Sequence, residues 1–164
     1  MKNQRIAFWT AIIGFTVLCS GCQTQIAHKS NPASVSDKYF QQKVAELIQH
    51  INDKPTFDHH EDTAAVSELI DIGRPSLYYG VLDLTLSNDY DTRLHAYMVL
   101  WWVTQAEMGH PRGQSTWDLD EENKWQELWK VNGPADFWNA SEDARRIAYE
   151  KWRTWLKETE EVKK

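Results

Sequence analysis

The chain has 164 residues, a formal net charge of −6, and nine tryptophans, six tyrosines and five phenylalanines. This length is enough for one domain with a hydrophobic core, and so high an aromatic content argues against a disordered chain. The acidic balance argues against binding to nucleic acid, whose phosphates need a basic face, and against an electrostatic hold on anionic lipid.

The first 22 residues have the architecture of an export leader. Lys2 and Arg5 provide a positive start, and the apolar stretch over residues 6–18 is too short for a comfortable transmembrane helix. The stretch closes with Ser20 and Gly21 before Cys22. Small residues before a cysteine resemble the lipobox of bacterial lipoproteins. The alternatives are an ordinary secretory leader and an uncut signal anchor with two incidental cysteines.

The lipoprotein resemblance implies that residues 1–21 are a signal peptide and that Cys22 becomes the lipid-bearing first residue of the mature chain. The membrane contact would then run through this lipid. Removal of the leader takes away two basic residues and no acidic ones, so the mature charge becomes −6 − 2 = −8. The mature chain would keep no free thiol, which excludes disulfides, a cysteine nucleophile and a thiolate metal site. Gln23 resembles the residue that sorts enterobacterial lipoproteins to the outer membrane, so we expect an outer-membrane protein that faces the periplasm.

Residues 22–35 are polar and lack apolar periodicity, which predicts a flexible tether. Residues 36–160 are predicted to form one helical domain. Its first helix is predicted to be capped by Ser36 or Asp37 and to run to about Ile51, with apolar residues at helical spacing.

A loop over residues 56–62 follows, with His59, His60, Glu61 and Asp62. Neighbouring histidines point in different directions on a helix, and the spacing of a zinc motif is missing. Solvated loop residues are therefore the preferred interpretation, and we predict no metal site and no cofactor.

The second helix is predicted to be capped by Asp62 and to end at Gly73. A third helix is predicted to start with Pro75 in its first turn and to carry an apolar stripe that includes Tyr78. The fourth is predicted from about Asp91 to Met108. Its centre, YMVLWWV over residues 97–103, is the densest apolar run after the leader. A helix that is apolar on every side must be surrounded by others, so we place this one at the centre of the domain.

Residues 64–103 resemble a HEAT-type repeat. The pattern of a helix ending in glycine, a turn with proline, a second helix and an acidic turn before an arginine is carried by Gly73, Pro75, Asp89 or Asp91, Arg93 and Ala96. The resemblance implies a structural role for Arg93. Bulky aromatic residues stand where HEAT arrays stack through small ones, and a second copy is not visible. We therefore expect a compact domain with one HEAT-like hairpin.

The rest of the chain predicts two more helices. Asp120 is predicted to cap the fifth, which would end at Gly133, and Ser141 to cap the sixth, whose predicted inner face includes Ile147, Trp152 and Trp155. The predicted fold is thus all-α, a compact domain of about six helices.

The loops between these helices carry the candidate ligand-binding residues Arg112, Trp117 and Trp138. Exposed tryptophans of this kind would stack on sugar rings. Large aromatic side chains are more often buried, and we favour packing of these tryptophans across helix ends.

The carboxylates Asp118, Asp120, Glu121 and Glu122 would be the candidates for glycoside cleavage. Capping and the helix dipole account for three of these four positions. Glu107 and His110 would be a base and its orienting partner, but they also fit an ordinary helix end. Because a nucleophile, a base and an orienting group do not come together in one set, we predict no catalysis.

The function predicted by exclusion is a non-enzymatic protein-binding or scaffolding module with an unidentified protein partner and no nucleic acid. A cell-wall glycan-binding module is the alternative, and a carboxylate-dependent glycan hydrolase is the least favoured.

Overall fold

The computed structural model describes residues 32–53, 63–135 and 139–161. The predicted leader and its Cys22, most of the predicted tether, the loop with His59 and His60, and Trp138 lie outside these residues. Regular structure in the described residues is entirely helical, so the predicted all-α class is confirmed. The six helices are α1 (Pro32–Gln49), α2 (Ala64–Ile72), α3 (74–84), α4 (Tyr90–Glu107), α5 (Leu119–Asn132) and α6 (Glu142–Glu161). Within the described ranges, none of these helices is both long and apolar enough to cross a membrane.

Three helices have a cap that differs from the predicted one: the cap of α2 lies one residue later, and the caps of α4 and α5 lie two residues earlier. Thr63 caps α2 by accepting a hydrogen bond from the backbone of Val66, Asp89 caps α4 and Asp118 caps α5. The predictions of Asp62, Asp91 and Asp120 are therefore corrected. Cap-forming residues crowd each of these sites, and local sequence does not rank them. Helix α1 likewise begins at Pro32 rather than at Ser36 or Asp37, with proline at a position that needs no amide hydrogen.

At α4, a contact with a residue distant in sequence favours Asp89 as the cap. Asp89 Oδ2 accepts from the backbone and the hydroxyl of Thr92, and from Asn52 at the end of α1. The hydrogen bonds from Thr92 come first in lowering the pKa of the Asp89 carboxyl. Asn52 also contacts the ring of His95 through its own oxygen, so one polar cluster joins α1 to α4.

Helix α4 is the centre of the domain, as predicted. Its buried positions fall on several faces and include Tyr97, Val99, Leu100 and Val103. Burial raises the pKa of the Tyr97 hydroxyl to about 12. The prediction that α4 is enclosed on every side is wrong in part, because Trp101 and Trp102 are only half-buried.

The other helices pack around α4 in two groups. Helices α2 and α3 lie directly against α4, and α1 covers both of them. Helix α6 packs on α5 and on the end of α3. Ile147, predicted on the inner face of α6, is exposed, whereas Trp152 is 1 % exposed. The correction follows from the narrow packed stripe of α6, which runs through Ala148, Trp152 and Leu156.

Helix α3 is bent in the middle, which the sequence did not predict. It consists of Arg74–Ser76, a kinked segment over Leu77–Val81, and Leu82–Leu84. Gly80 has φ 141°, a value that side-chain-bearing residues rarely adopt. A Cβ atom there would lie 2.9 Å from Ile48 Cδ1, so glycine also allows α1 to approach closely. The bend leaves Tyr78 52 % exposed, and its predicted place in the apolar stripe is wrong.

Two features of the HEAT-like pattern have clear structural roles. Gly73, with φ 74°, ends α2, and Pro75 stands in the first turn of α3. Arg93 donates to the carbonyl oxygens of Ser87 and Asn88, both at 2.9 Å, and so holds the turn before α4. The expected structural role of Arg93 fits these contacts.

Candidate functional site

Six tryptophans form a continuous series of ring contacts, which we call the tryptophan cluster. The cluster connects four segments of the chain, which are helices α4, α5 and α6 and the loop that follows α4. Its members, in order of contact, are Trp117, Trp125, Trp101, Trp129, Trp152 and Trp155. Centroid separations run from 4.4 Å for Trp101–Trp125 to 5.5 Å for Trp117–Trp125, which are ordinary distances for packed aromatic pairs.

Thr104 supplies the polar centre of the tryptophan cluster. Its hydroxyl accepts from Nε1 of Trp125 at 3.1 Å and from Nε1 of Trp129 at 2.9 Å. The same hydroxyl donates to the carbonyl oxygen of Trp101 at 2.9 Å. One donor and two acceptors are all that a hydroxyl offers, so Thr104 is fully used. The indole donors of Trp125 and Trp129 thus bond inside the domain, which is the arrangement expected of a structural core.

Trp117, a predicted ligand-binding residue, is packed into this cluster. Its ring stacks on that of His110 at 4.1 Å and 26°, and it meets Trp125 on another side. His110 is buried, and its Nδ1 has no hydrogen-bond partner among the residues that the structure describes. Since stacking on a sugar needs an open ring face, this geometry favours packing for Trp117. Trp138 lies outside the described residues.

Arg112 has different neighbours from Trp117. Its guanidinium donates to Ser67 Oγ at 3.1 Å and lies 5.9 Å from the ring of Trp102. Arg112 thereby attaches the loop to α2 and α4. The described contacts do not bring the predicted ligand-binding residues together into one cleft.

The predicted carboxylates have separate structural partners. Asp118 caps α5, Glu121 lies against Gly109, and Glu122 accepts from Gln126. Glu107 accepts from Arg74 at 3.2 Å. In the part of the chain that the structure describes, histidine, cysteine and acidic residues do not form a group able to hold a metal ion.

A surface of a different kind lies around Tyr78. A cavity of about 320 Å³ opens between α3 and α6, and a smaller one of about 190 Å³ opens between α1 and α3. Tyr78 lines both cavities, and we call this pair of neighbouring cavities the Tyr78 furrow. The larger cavity is lined by Leu77, Tyr78, Leu82, Asp83, Tyr149, Arg153, Leu156 and Lys157.

The Tyr78 furrow has an apolar floor and a polar rim. Leu77, Leu82 and Leu156 form the floor and are at most 4 % exposed. On the rim, the Tyr149 hydroxyl donates to Asp83 Oδ1 at 2.7 Å and so joins α6 to α3. This hydrogen bond is the first cause of the raised pKa of Tyr149, which keeps the hydroxyl protonated and able to donate.

Arg74 fixes the relative positions of the helices beneath the furrow. Its guanidinium donates to Glu107 on α4 and to the carbonyl oxygen of Leu156 on α6. It also lies 4.7 Å above the ring of Trp155, which connects the furrow wall to the tryptophan cluster. Arg74 therefore connects α3 to both α4 and α6 beneath the furrow.

A third cavity, of about 420 Å³, lies between α5 and α6. Its rim carries Glu150, Glu158 and Lys151, and Lys151 already donates to the carbonyl oxygen of Val131. Charges of both signs, with the lysine engaged, give this cavity no clear preference for one kind of ligand.

Sequence reasoning missed the Tyr78 furrow. Two signals were present: an isolated glycine inside a helical pattern, Gly80, and a pair of cations four residues apart, Arg153 and Lys157. Neither reveals that these segments face each other across a cavity, because that depends on how α6 packs on α3.

Comparisons with protein-family models, with curated proteins and with solved structures find no match to this chain.

Proposed function

We propose that this protein is a lipoprotein of the bacterial envelope, anchored through Cys22, whose helical domain binds a protein partner without catalysing a reaction. The leader sequence supports the anchor, and Gln23 supports an outer-membrane location facing the periplasm. The Tyr78 furrow is the observation that carries the binding role.

Two properties of the furrow support this role over catalysis. Its larger cavity, of about 320 Å³, places aromatic and charged side chains around nearly buried leucines, and binding sites commonly combine an apolar surface with polar groups that fix orientation. The one hydrogen-bonded pair of titratable groups described on its rim, Tyr149 and Asp83, holds two helices together. Of the acidic residues first considered for catalysis, Asp118 caps α5 and Glu107 pairs with Arg74.

The anchor is tested by growing cells that express the full chain with an alkyne-tagged fatty acid. We expect label on the wild type and none on Cys22→Ala, together with outer-membrane fractionation of the wild type. An unlabelled wild type would contradict the lipoprotein assignment.

The binding role is tested by crosslinking in cells, with the leader and tether fused to an unrelated helical domain as the control. We expect the full chain to recover at least one protein that the control does not. Equal recovery from both would overturn the binding role. If instead the purified domain cosedimented with cell-wall glycan and Trp117→Ala abolished this, the glycan-binding alternative would replace it.

A further inference from the structure

The rim of the Tyr78 furrow carries two cations that lack a carboxylate partner in the described chain. Arg153 and Lys157 line the larger cavity from α6, and neither forms a described hydrogen bond or ion pair. They stand four residues apart on one helix face, where like charges repel each other by a few tenths of a kcal/mol. A bound anion would remove this repulsion.

These cations have the opposite sign to the net charge of the protein. The whole chain has a net charge of −6, and several of its other surface cations have partners, such as Lys43 with Glu68, Lys130 with Glu127 and Arg146 with Glu142. Asp83 is the one acidic side chain of the larger cavity, and it accepts from Tyr149. The cavity therefore presents a positive side in a negative protein.

The floor of the furrow selects among anions. Leucine side chains offer a sugar hydroxyl no hydrogen bond, and the Tyr149 hydroxyl already uses its donor on Asp83. Polar groups buried without partners are costly, so a sugar would bind poorly there. An aliphatic or aromatic side chain would instead pack against the exposed ring of Tyr78, above Leu77, Leu82 and Leu156.

We propose that the Tyr78 furrow binds an acidic peptide segment of the partner protein. An apolar side chain of that segment would lie on the leucine floor beside Tyr78, and neighbouring carboxylates would pair with Arg153 and Lys157. This assignment rests on the proposed protein-binding function and names the chemistry of its partner.

Local backbone structure supports this position. Tyr78 lies two residues before Gly80, whose non-helical backbone interrupts α3. The bend at Gly80 leaves Tyr78 exposed between both cavities, with its ring edge-on to Tyr79 at 5.2 Å. A tyrosine so placed can contact a peptide on either side.

The test measures binding of the full-length mature protein in detergent to a random copolymer of glutamate and tyrosine. A lysine–tyrosine copolymer tests charge, polyglutamate tests the need for an apolar side chain, and polygalacturonate offers carboxylates on a glycan. We expect the glutamate–tyrosine copolymer to bind most tightly, with affinity that falls as salt rises.

Matched variants locate the site. Arg153→Gln with Lys157→Gln should lower affinity about tenfold, and Tyr78→Ser about fivefold, whereas Lys124→Gln with Lys130→Gln should change it less than about twofold. Both pairs remove two positive charges from exposed helix positions, so net charge is matched and folding is preserved.

Equal losses from the two pairs would overturn the assignment, as would preferred binding of polygalacturonate that depends on Arg153 and Lys157. Absence of binding to every polymer would also overturn it. A partner recovered by crosslinking in cells would then still support the proposed function, so the two failures are distinguishable.

Discussion

The tryptophan cluster and the Tyr78 furrow contain similar residue types but differ in how those residues are used. In the cluster, the described polar contacts of the indole rings and their neighbours point inward, and Thr104 accepts from two of the rings. In the furrow, Tyr78 is half exposed above a leucine floor, and two cations on the rim face solvent. Abundant aromatic residues therefore do not locate a binding site by themselves. The exposure of the rings and the partners of their polar atoms do.

Loss of the most buried ring should have the largest effect on stability. Trp152 is 1 % exposed and contacts Trp129 and Trp155, so Trp152→Ala should lower the free energy of unfolding by about 3–5 kcal/mol. Urea denaturation followed by far-UV circular dichroism measures this. Trp152→Phe keeps most of the ring volume and removes an indole N–H that has no hydrogen-bond partner within the described ranges, so it should cost about 1–2 kcal/mol. A loss below about 1 kcal/mol for Trp152→Ala would show that the cluster is not a core.

Removal of the Thr104 hydroxyl, which Trp125 and Trp129 share, should have the next largest effect on stability. Thr104→Val keeps the shape of the side chain but takes away the acceptor used by Trp125 and Trp129, and should cost about 2–3 kcal/mol. Thr154→Val is the control, because Thr154 is exposed and bonds only to Glu150 within its own helix. The same denaturation experiment applies to both. Similar losses for the two variants would mean that the Thr104 contacts contribute little.

Substitution of Gly80, at the bend beneath the furrow, should lower the stability of the domain moderately. Gly80→Ala combines an unfavourable φ with a close contact to Ile48 Cδ1 and should cost about 2 kcal/mol. Gly113→Ala has a comparable φ of 91° but open space, so it should cost only about 1 kcal/mol. Adding Ile48→Val removes the clashing atom, and a thermal-melt double-mutant cycle should show favourable coupling. Absence of coupling would remove the close approach of α1 as a reason for glycine.

Substitution of the α4 cap, Asp89, should have the smallest effect on stability, and this effect should be visible only in acid. Hydrogen bonds from Thr92 lower the pKa of Asp89, so its stabilisation is present above the ordinary value of 3.8 and is lost as the pH falls further. We expect Asp89→Asn to show a shallower loss of stability than the wild type between pH 5 and pH 2, because asparagine can cap without ionising. Asp91→Asn, in the first turn of the same helix, is the control. Parallel pH profiles for the wild type and Asp89→Asn would contradict the assignment of the cap.

The features that sequence predicted correctly are those that depend on local periodicity. The apolar run over residues 97–103 identified α4 and its central place, and Gly73 with Pro75 marked the break between α2 and α3. Caps were misplaced by one or two residues where several acidic residues compete, as at Asp89 and Asp91. There the choice depends on Asn52, which is distant in sequence.

The features that sequence did not predict depend on contacts between helices. The glycine at the bend, Gly80, allows Ile48 on α1 to approach closely. The larger cavity of the furrow forms where α6, which carries Arg153, packs beside α3, which carries Tyr78. Trp117 was a candidate ligand-binding residue for which packing was favoured, and its stacking on His110 depends on how the loop folds back over α5. Residue type alone does not distinguish a packed ring from one that is free to bind.

The central claim is that the partner binds at the Tyr78 furrow and not at the loop around Trp117. The most direct test places a photo-crosslinking phenylalanine derivative at position 78 and, separately, at the exposed position 119, in the full chain in cells. We expect a partner adduct from position 78, reduced by Arg153→Gln with Lys157→Gln, and little or none from position 119. An adduct from position 119 with none from position 78 would contradict the claim and would favour the loop around Trp117 as the binding surface.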